Sequence, residues 1–234
     1  MGLFGKPNGG VPKVALAIGD QEPNGKLRGL PVDMLELRLE RFRDQSIKGI
    51  EGSILARKEA RKPMMLGFQN GLETGSAPGI NGDKKLLIYH MAMEHVDAVD
   101  IELDSPVIEA VMNLARENEK TVIVSSYFAD RTPGVDELET VFSASRLKGA
   151  DVVKITAHAK SMDDVFTLLD FTRKHRDDGV IPVSMGPHGA LSRLLFPAAG
   201  SLLTYCCLER PSAPGEIPMS ELVDDLRRYY PKYR

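Results

Sequence analysis

Short β-branched or apolar runs alternate with stretches of helical periodicity from one end of the chain to the other, the pattern of βα units around a parallel sheet. The strand candidates are "KVALAI" (13–18), "DMLELRL" (33–39), "PMMLGFQ" (63–69) and "AVDIELD" (98–104). They continue with "TVIVSSY" (121–127), "DVVKITA" (151–157), "IPVSMG" (181–186) and "SLLTYCCL" (201–208). Helix patterns such as "SIKGIEGSILARKEARK", "SPVIEAVMNLARENEK" and "SMDDVFTLLDFTRKH" lie between them, and "PMSELVDDLRRYY" (218–230) closes the chain. Ser105 before Pro106, and Ser161 with Asp163 and Asp164 behind it, supply N-cap chemistry for two of these helices. Eight strands with a helix after most of them predict an α/β fold, a (β/α)8 TIM barrel in a single domain over residues 1–234. Residues 1–12 read as a flexible N-terminal tail, and 19–32, rich in Gly and Pro, leaves room for little helix. A doubly wound open sheet is the alternative, but no Gly-rich dinucleotide turn follows the first strand.

Composition narrows the function classes. The chain of 234 residues is 42% hydrophobic and 27% charged, enough to bury a full core. A net charge of −3 provides no basic field to attract nucleic acid or anionic lipid. Cys206 and Cys207 are adjacent, a spacing that suits neither a disulfide nor a metal site, so a reducing cytoplasm is the expected setting. No apolar run approaches the length of a membrane span, and the first residues lack the apolar core of a signal peptide.

In a barrel the chemistry sits where strands end, so polar residues inside the strands become candidates. Glu36 and Arg38 alternate with Leu35, Leu37 and Leu39, which points both charges to the interior, as a structural ion pair or as part of a site. Asp100 and Glu102 repeat the pattern in the fourth strand. Lys154 stands among apolar residues in the sixth. Burial lowers a lysine pKa and frees an amine to form a Schiff base, while a salt-bridged structural lysine is the alternative. The loop "GFQNGLETGSAPGING" (67–82) carries Glu73, "SMGPHGALSR" (184–193) leads to Arg193, and "ERPSAPGE" (209–216) carries Ser212 and Glu216. Arg193 beside exposed amides suits a carboxylate or phosphate.

Together "LELRLE", "DIEL", "VVKI", "VSMGPHGALSR" and "SAPGE", in this order and spacing, resemble type I 3-dehydroquinate dehydratase, the Schiff-base enzyme of the shikimate pathway of aromatic amino acid biosynthesis. The resemblance implies a barrel, often a homodimer, acting on a small cyclic keto acid with neither metal nor organic cofactor. It also implies that Lys154 forms an imine with the C3 ketone of 3-dehydroquinate. A C2 proton then leaves, and the C1 hydroxyl is expelled as water to give 3-dehydroshikimate. A histidine at the end of strand 5 would shuttle the protons, oriented by Glu73, while Glu36, Arg38, Arg193 and Ser212 would hold hydroxyls and carboxylate.

Three positions depart from that pattern. Tyr127 stands in the histidine's place, Gln69 where an arginine is expected, and Glu216 where a glutamine is expected. An unperturbed tyrosine, with a pKa of about 10, is a poor base at neutral pH. The last two changes weaken carboxylate binding in the same direction. His188, in the loop after strand 7, is the better candidate for a surrogate acid/base; His158, four residues beyond Lys154, is the other. Two further functions stay open: a Schiff-base lyase or aldolase acting on another keto substrate, and a non-catalytic paralogue that binds a metabolite.

Overall fold

The computed structural model describes residues 3–4, 11–68, 80 and 82–233. Among them, parallel strands β1 (Val14–Ile18), β2 (Met34–Arg38), β3 (Met64–Gly67), β4 (Ala98–Glu102), β5 (Thr121–Phe128), β6 (Val152–His158), β7 (Val180–Met185) and β8 (Thr204–Cys206) form one sheet. The hydrogen-bonded order runs β7-β6-β5-β4-β3-β2-β1-β8. Just ahead of β8, Leu202 N–H donates to Val180 O at 3.0 Å and draws the two outer strands together into a barrel. Helices α1 (Asn24–Leu27), α2 (Ile47–Arg57), α3 (Gly82–Ala92), α4 (Ile108–Glu117), α5 (Val135–Lys148), α6 (Met162–Lys174), α7 (Ser192–Ala199) and α8 (Met219–Tyr229) alternate with the strands. The expected (β/α)8 fold is the one observed, and α1 shortens to four residues inside the Gly/Pro-rich stretch.

Strand alternation divides the apolar residues into two cores. Outward-facing Leu35, Leu37, Val99, Ile101, Val153 and Ile155 pack under the helices in the larger cluster. Inward-facing Ala15, Met34, Met65, Ala98, Ile123, Val152 and Ile181 fill the lower barrel. Phe4 is buried against this inner cluster and Leu3 packs on it. Within the segment read as a flexible tail, burial of the Phe4 ring removes apolar surface from water. Residues 1–2 and 5–10 lie outside the described residues.

The two predicted caps differ in outcome. Ser161 forms a capping box: its hydroxyl accepts from Asp164 N–H, and the Asp164 carboxylate accepts from Ser161 N–H at 3.2 Å. Ser105 caps nothing. Its carbonyl accepts from Ile108 N–H in a tight turn, so α4 starts three residues later, behind Val107.

Candidate active site

Above the apolar floor, the even-numbered strands contribute one layer of four polar side chains: Glu36 from β2, Asp100 from β4, Lys154 from β6 and Tyr205 from β8. Lys154 Nζ donates to Glu36 Oε1 at 2.6 Å and to Asp100 Oδ2 at 3.0 Å, and all three side chains are almost fully buried. Nζ also lies 4.9 Å from the centroid of the Tyr205 ring. The next layer up is small: Ala17, Gly67, Ser125 and Val183. At Gly67 even a Cβ would touch Asp100 Cβ and Glu36 Oε1, both at 3.5 Å. This step from bulky to small side chains opens a cavity of about 380 Å³ over Lys154.

Burial alone would lower the Lys154 pKa, as the sequence suggests. Asp100 and Glu36 outweigh it and hold the amine well above its ordinary value, because two carboxylates share one ammonium in a dry layer. Burial pushes Glu36 up, but Lys154 and Arg38 together bring its carboxyl below the usual range. Glu36 Oε2 and Asp100 Oδ1 have no hydrogen-bond partner among the described residues. They remain as acceptors for a bound hydroxyl or water.

Glu36 and Arg38 read as an ion pair or as part of a site, and the described ion pairs do not link them to each other. Glu36 reaches across the barrel to Lys154, and Arg38 Nε donates to Glu40 in the turn that follows the strand. Glu102, at the top of β4, accepts from Lys85 of α3, which itself lies 4.7 Å from the Phe68 ring centroid. Tyr127 lines the cavity one pleat above Lys154: Ser125 is the register partner of Lys154, and Tyr127 that of Thr156.

Arg193 enters from the second residue of α7 and is buried in the cavity wall. Its Nη2 approaches Met185 Sδ at 3.8 Å, and its Nε has no partner among the described residues. Burial lowers its pKa, with the Glu216 carboxylate opposing. A guanidinium in this state is ready for an external anion.

Glu216 does not act as a bare anion at the mouth. Its Oε1 accepts from Arg41 Nη2 at 2.9 Å, and its Oε2 accepts from the Ser212 amide at 2.6 Å and hydroxyl at 2.8 Å. Burial opposes ionisation here, yet the Ser212 amide and Arg41 keep the carboxyl below its ordinary range. Ser212 thus donates to Glu216, at the rim of the cavity. The same loop is fastened to the one after β7, where Gly186 N–H donates to Pro214 O at 3.1 Å. Gly215 adopts a φ of 88°, and a Cβ there would stand 2.4 Å from Gly186 O, so this seam requires glycine.

The structure therefore brings Lys154, Glu36, Arg38, Tyr127, Arg193, Ser212 and Glu216 to one cavity. Gln69 and Glu73 lie outside the described residues. His188 is exposed in the 3₁₀ turn Pro187–Leu191 and does not line the cavity, because the turn carries it outward beyond β7. Tyr205 and Arg41 are among the lining residues missing from the sequence-based site. The signal for Tyr205 was its parity with Leu203 in strand 8, hidden in an apolar run. Arg41 follows strand 2 directly, in the βα loop where barrel chemistry is placed.

A family model described as type I 3-dehydroquinase matches residues 21–231. The 3-dehydroquinate dehydratase of Thermodesulfovibrio yellowstonii is 30% identical over 218 residues, spanning 91% of this chain and 93% of that protein. Among solved structures, the type I 3-dehydroquinate dehydratase of Clostridium difficile, with covalently modified comenic acid, superposes with a TM-score of 0.85 at 27% identity, covering 93% of this chain and 92% of that one. The 3-dehydroquinate dehydratase of Aquifex aeolicus gives 0.81 at 27% identity, covering 93% and 99%. With this agreement in sequence and fold, the chain belongs to the type I 3-dehydroquinase family.

Proposed function

We propose that this chain dehydrates 3-dehydroquinate to 3-dehydroshikimate through a Schiff base on Lys154. The observation that carries the proposal is the buried Lys154 at the floor of a cavity whose wall holds a guanidinium, Arg193, with no carboxylate partner among the described residues. Arg193 takes the substrate carboxylate, and the free oxygens of Glu36 and Asp100 accept ring hydroxyls. Lys154 must first lose a proton, and Glu36, at 2.6 Å, is the nearest acceptor. That transfer runs uphill, because the two carboxylates favour the ammonium, so substrate binding energy must offset it.

The neutral amine then adds to the C3 ketone, and loss of water gives the iminium. The iminium accepts the electron pair left when a base takes the C2 proton, and the resulting enamine expels the C1 hydroxyl, which leaves as water on receiving that proton back. Hydrolysis releases the conjugated ketone and regenerates Lys154. Tyr127 stands where the resemblance expects the proton-shuttling histidine, and loss of such a group costs about 10²–10⁴ in rate, so the chain is a slow dehydratase. The alternative of a less anionic substrate loses one of its supports, since Arg41 neutralises Glu216. The finer expectations are a homodimer in the cytoplasm. The first rests on the resemblance, and the second is supported by two unpaired adjacent cysteines. Among the described residues no helix is long and apolar enough to cross a membrane.

The test is to follow the ultraviolet absorbance of the conjugated product with 3-dehydroquinate as substrate, using wild type and Lys154→Ala. Lysine-dependent product formation is expected. An inactive wild type, or an active Lys154→Ala variant, would overturn the proposal.

A further inference from the structure

Tyr205 shares the barrel layer of Lys154, yet its phenol has no assigned task. Its ring stands 4.9 Å, centroid to Nζ, from the ammonium. The hydroxyl is buried and, beyond the nearby Lys154 ammonium, which can only donate to its oxygen, has no hydrogen-bond partner among the described residues, so its proton is unclaimed while the side chain lines the cavity. A phenylalanine would keep the ring contact and avoid burying an orphaned hydroxyl, so packing does not account for the oxygen. An unsatisfied donor beside a nucleophile, on a side chain that lines a ligand cavity, suits a developing negative charge on a ligand that reaches the Lys154 layer.

We propose that the Tyr205 hydroxyl is the proton donor to the substrate's carbonyl oxygen as Lys154 adds to the carbonyl carbon. This role rests on the Schiff-base mechanism proposed above. The C–N bond forms as the carbonyl π pair moves onto oxygen, leaving an alkoxide and a cationic secondary amine. The phenol gives its proton to the alkoxide, and the phenolate takes one from the new nitrogen. The products are a neutral carbinolamine and an unchanged tyrosine, with no outside acid consumed. Burial, reinforced by Glu36, favours the protonated phenol between turnovers, which suits a donor and not a resting base. Tyr127, one pleat nearer the mouth, is left to act on the later C2 proton.

The test compares wild type with Tyr205→Phe in single-turnover mixing with 3-dehydroquinate, borohydride quenching at set times, and quantification of the Lys154 adduct by mass spectrometry. We expect adduct formation to slow by about 10²-fold, the low end for loss of a general acid, with KM within about twofold of wild type. The melting temperature should be unchanged or higher, since an unsatisfied buried hydroxyl has been removed. Tyr205→Phe trapping at the wild-type rate would overturn the donor role and leave the Schiff-base mechanism standing. A lower melting temperature with proportionately weaker binding would assign the hydroxyl to structure and overturn the role equally. A wild type that forms no adduct would overturn the mechanism and this role with it.

Discussion

Replacing Lys154 by methionine keeps most of the side-chain volume while removing the one cation that Glu36 and Asp100 share. Both carboxylates then face a dry layer without the ammonium they share, and Glu36 keeps only the more distant charges of Arg38 and Arg41. Breaking a buried pair in this way costs about 3–5 kcal/mol, and exposure does not discount it, since Lys154 and Glu36 side chains are 2% and 1% exposed. For a chain of this length about 1 kcal/mol shifts the melting temperature by roughly 2–4 °C, so Lys154→Met should melt about 6–20 °C lower at pH 7. The pH dependence is the sharper signature. In the wild type the folded-state pKa of Glu36 is depressed, so its contribution is present above the ordinary carboxylate range and is lost as pH falls through the folded value. Without Lys154, burial, the largest influence on Glu36, is opposed only by Arg38 and Arg41; we expect it to raise the Glu36 pKa, so the variant binds more protons folded than unfolded and gains stability as pH falls. Thermal melts followed by circular dichroism between about pH 4 and 7 should therefore show opposite slopes for the two proteins. Parallel slopes, or a variant as stable as wild type at neutral pH, would refute the shared-ammonium layer.

Arg193→Gln should raise KM by roughly tenfold to 10²-fold with a smaller effect on kcat, since a charge-assisted hydrogen bond contributes about 1.5–3 kcal/mol; steady-state kinetics with 3-dehydroquinate reads the split. Tyr127→His should raise kcat by about 10²-fold and introduce an acid limb near pH 6.5 in the rate profile, while His188→Ala, outside the cavity, should leave rate and profile unchanged. Glu216→Gln weakens the link between Arg41 and the loop after β8, so amide exchange across residues 209–216, read by mass spectrometry, should speed up roughly fivefold, equivalent to about 1 kcal/mol.

The barrel was legible because its signal repeats: eight short apolar runs, each bounded by Gly, Pro or charge, admit few other arrangements. Interior polar residues were legible for the same reason, since a two-residue period in "LELRL" and "DIEL" leaves no doubt which side chains share a face. Pairing across the barrel was not. Which charge meets which depends on the stagger of neighbouring strands, and it is this stagger that sets Lys154 opposite Glu36 and Asp100. For the same reason the direction of the Lys154 pKa could not be deduced from burial alone. Tyr205 escaped because an aromatic within "LLTYCC" reads as core, and its hydroxyl stands out only once its surroundings are seen to offer its proton no acceptor. Glu216 looked like a repulsive charge until Arg41, 175 residues away in sequence, was found against it.

The central claim is that the ammonium held between Glu36 and Asp100 is the group that bonds to substrate. Its most direct measurement is the mass of the protein after incubation with 3-dehydroquinate and borohydride, followed by peptide mapping of the modified residue. The account predicts one reduced adduct per chain, located on Lys154, and none on the Lys154→Ala variant. Labelling on any other lysine, or an unmodified chain that still releases the conjugated product, would contradict it.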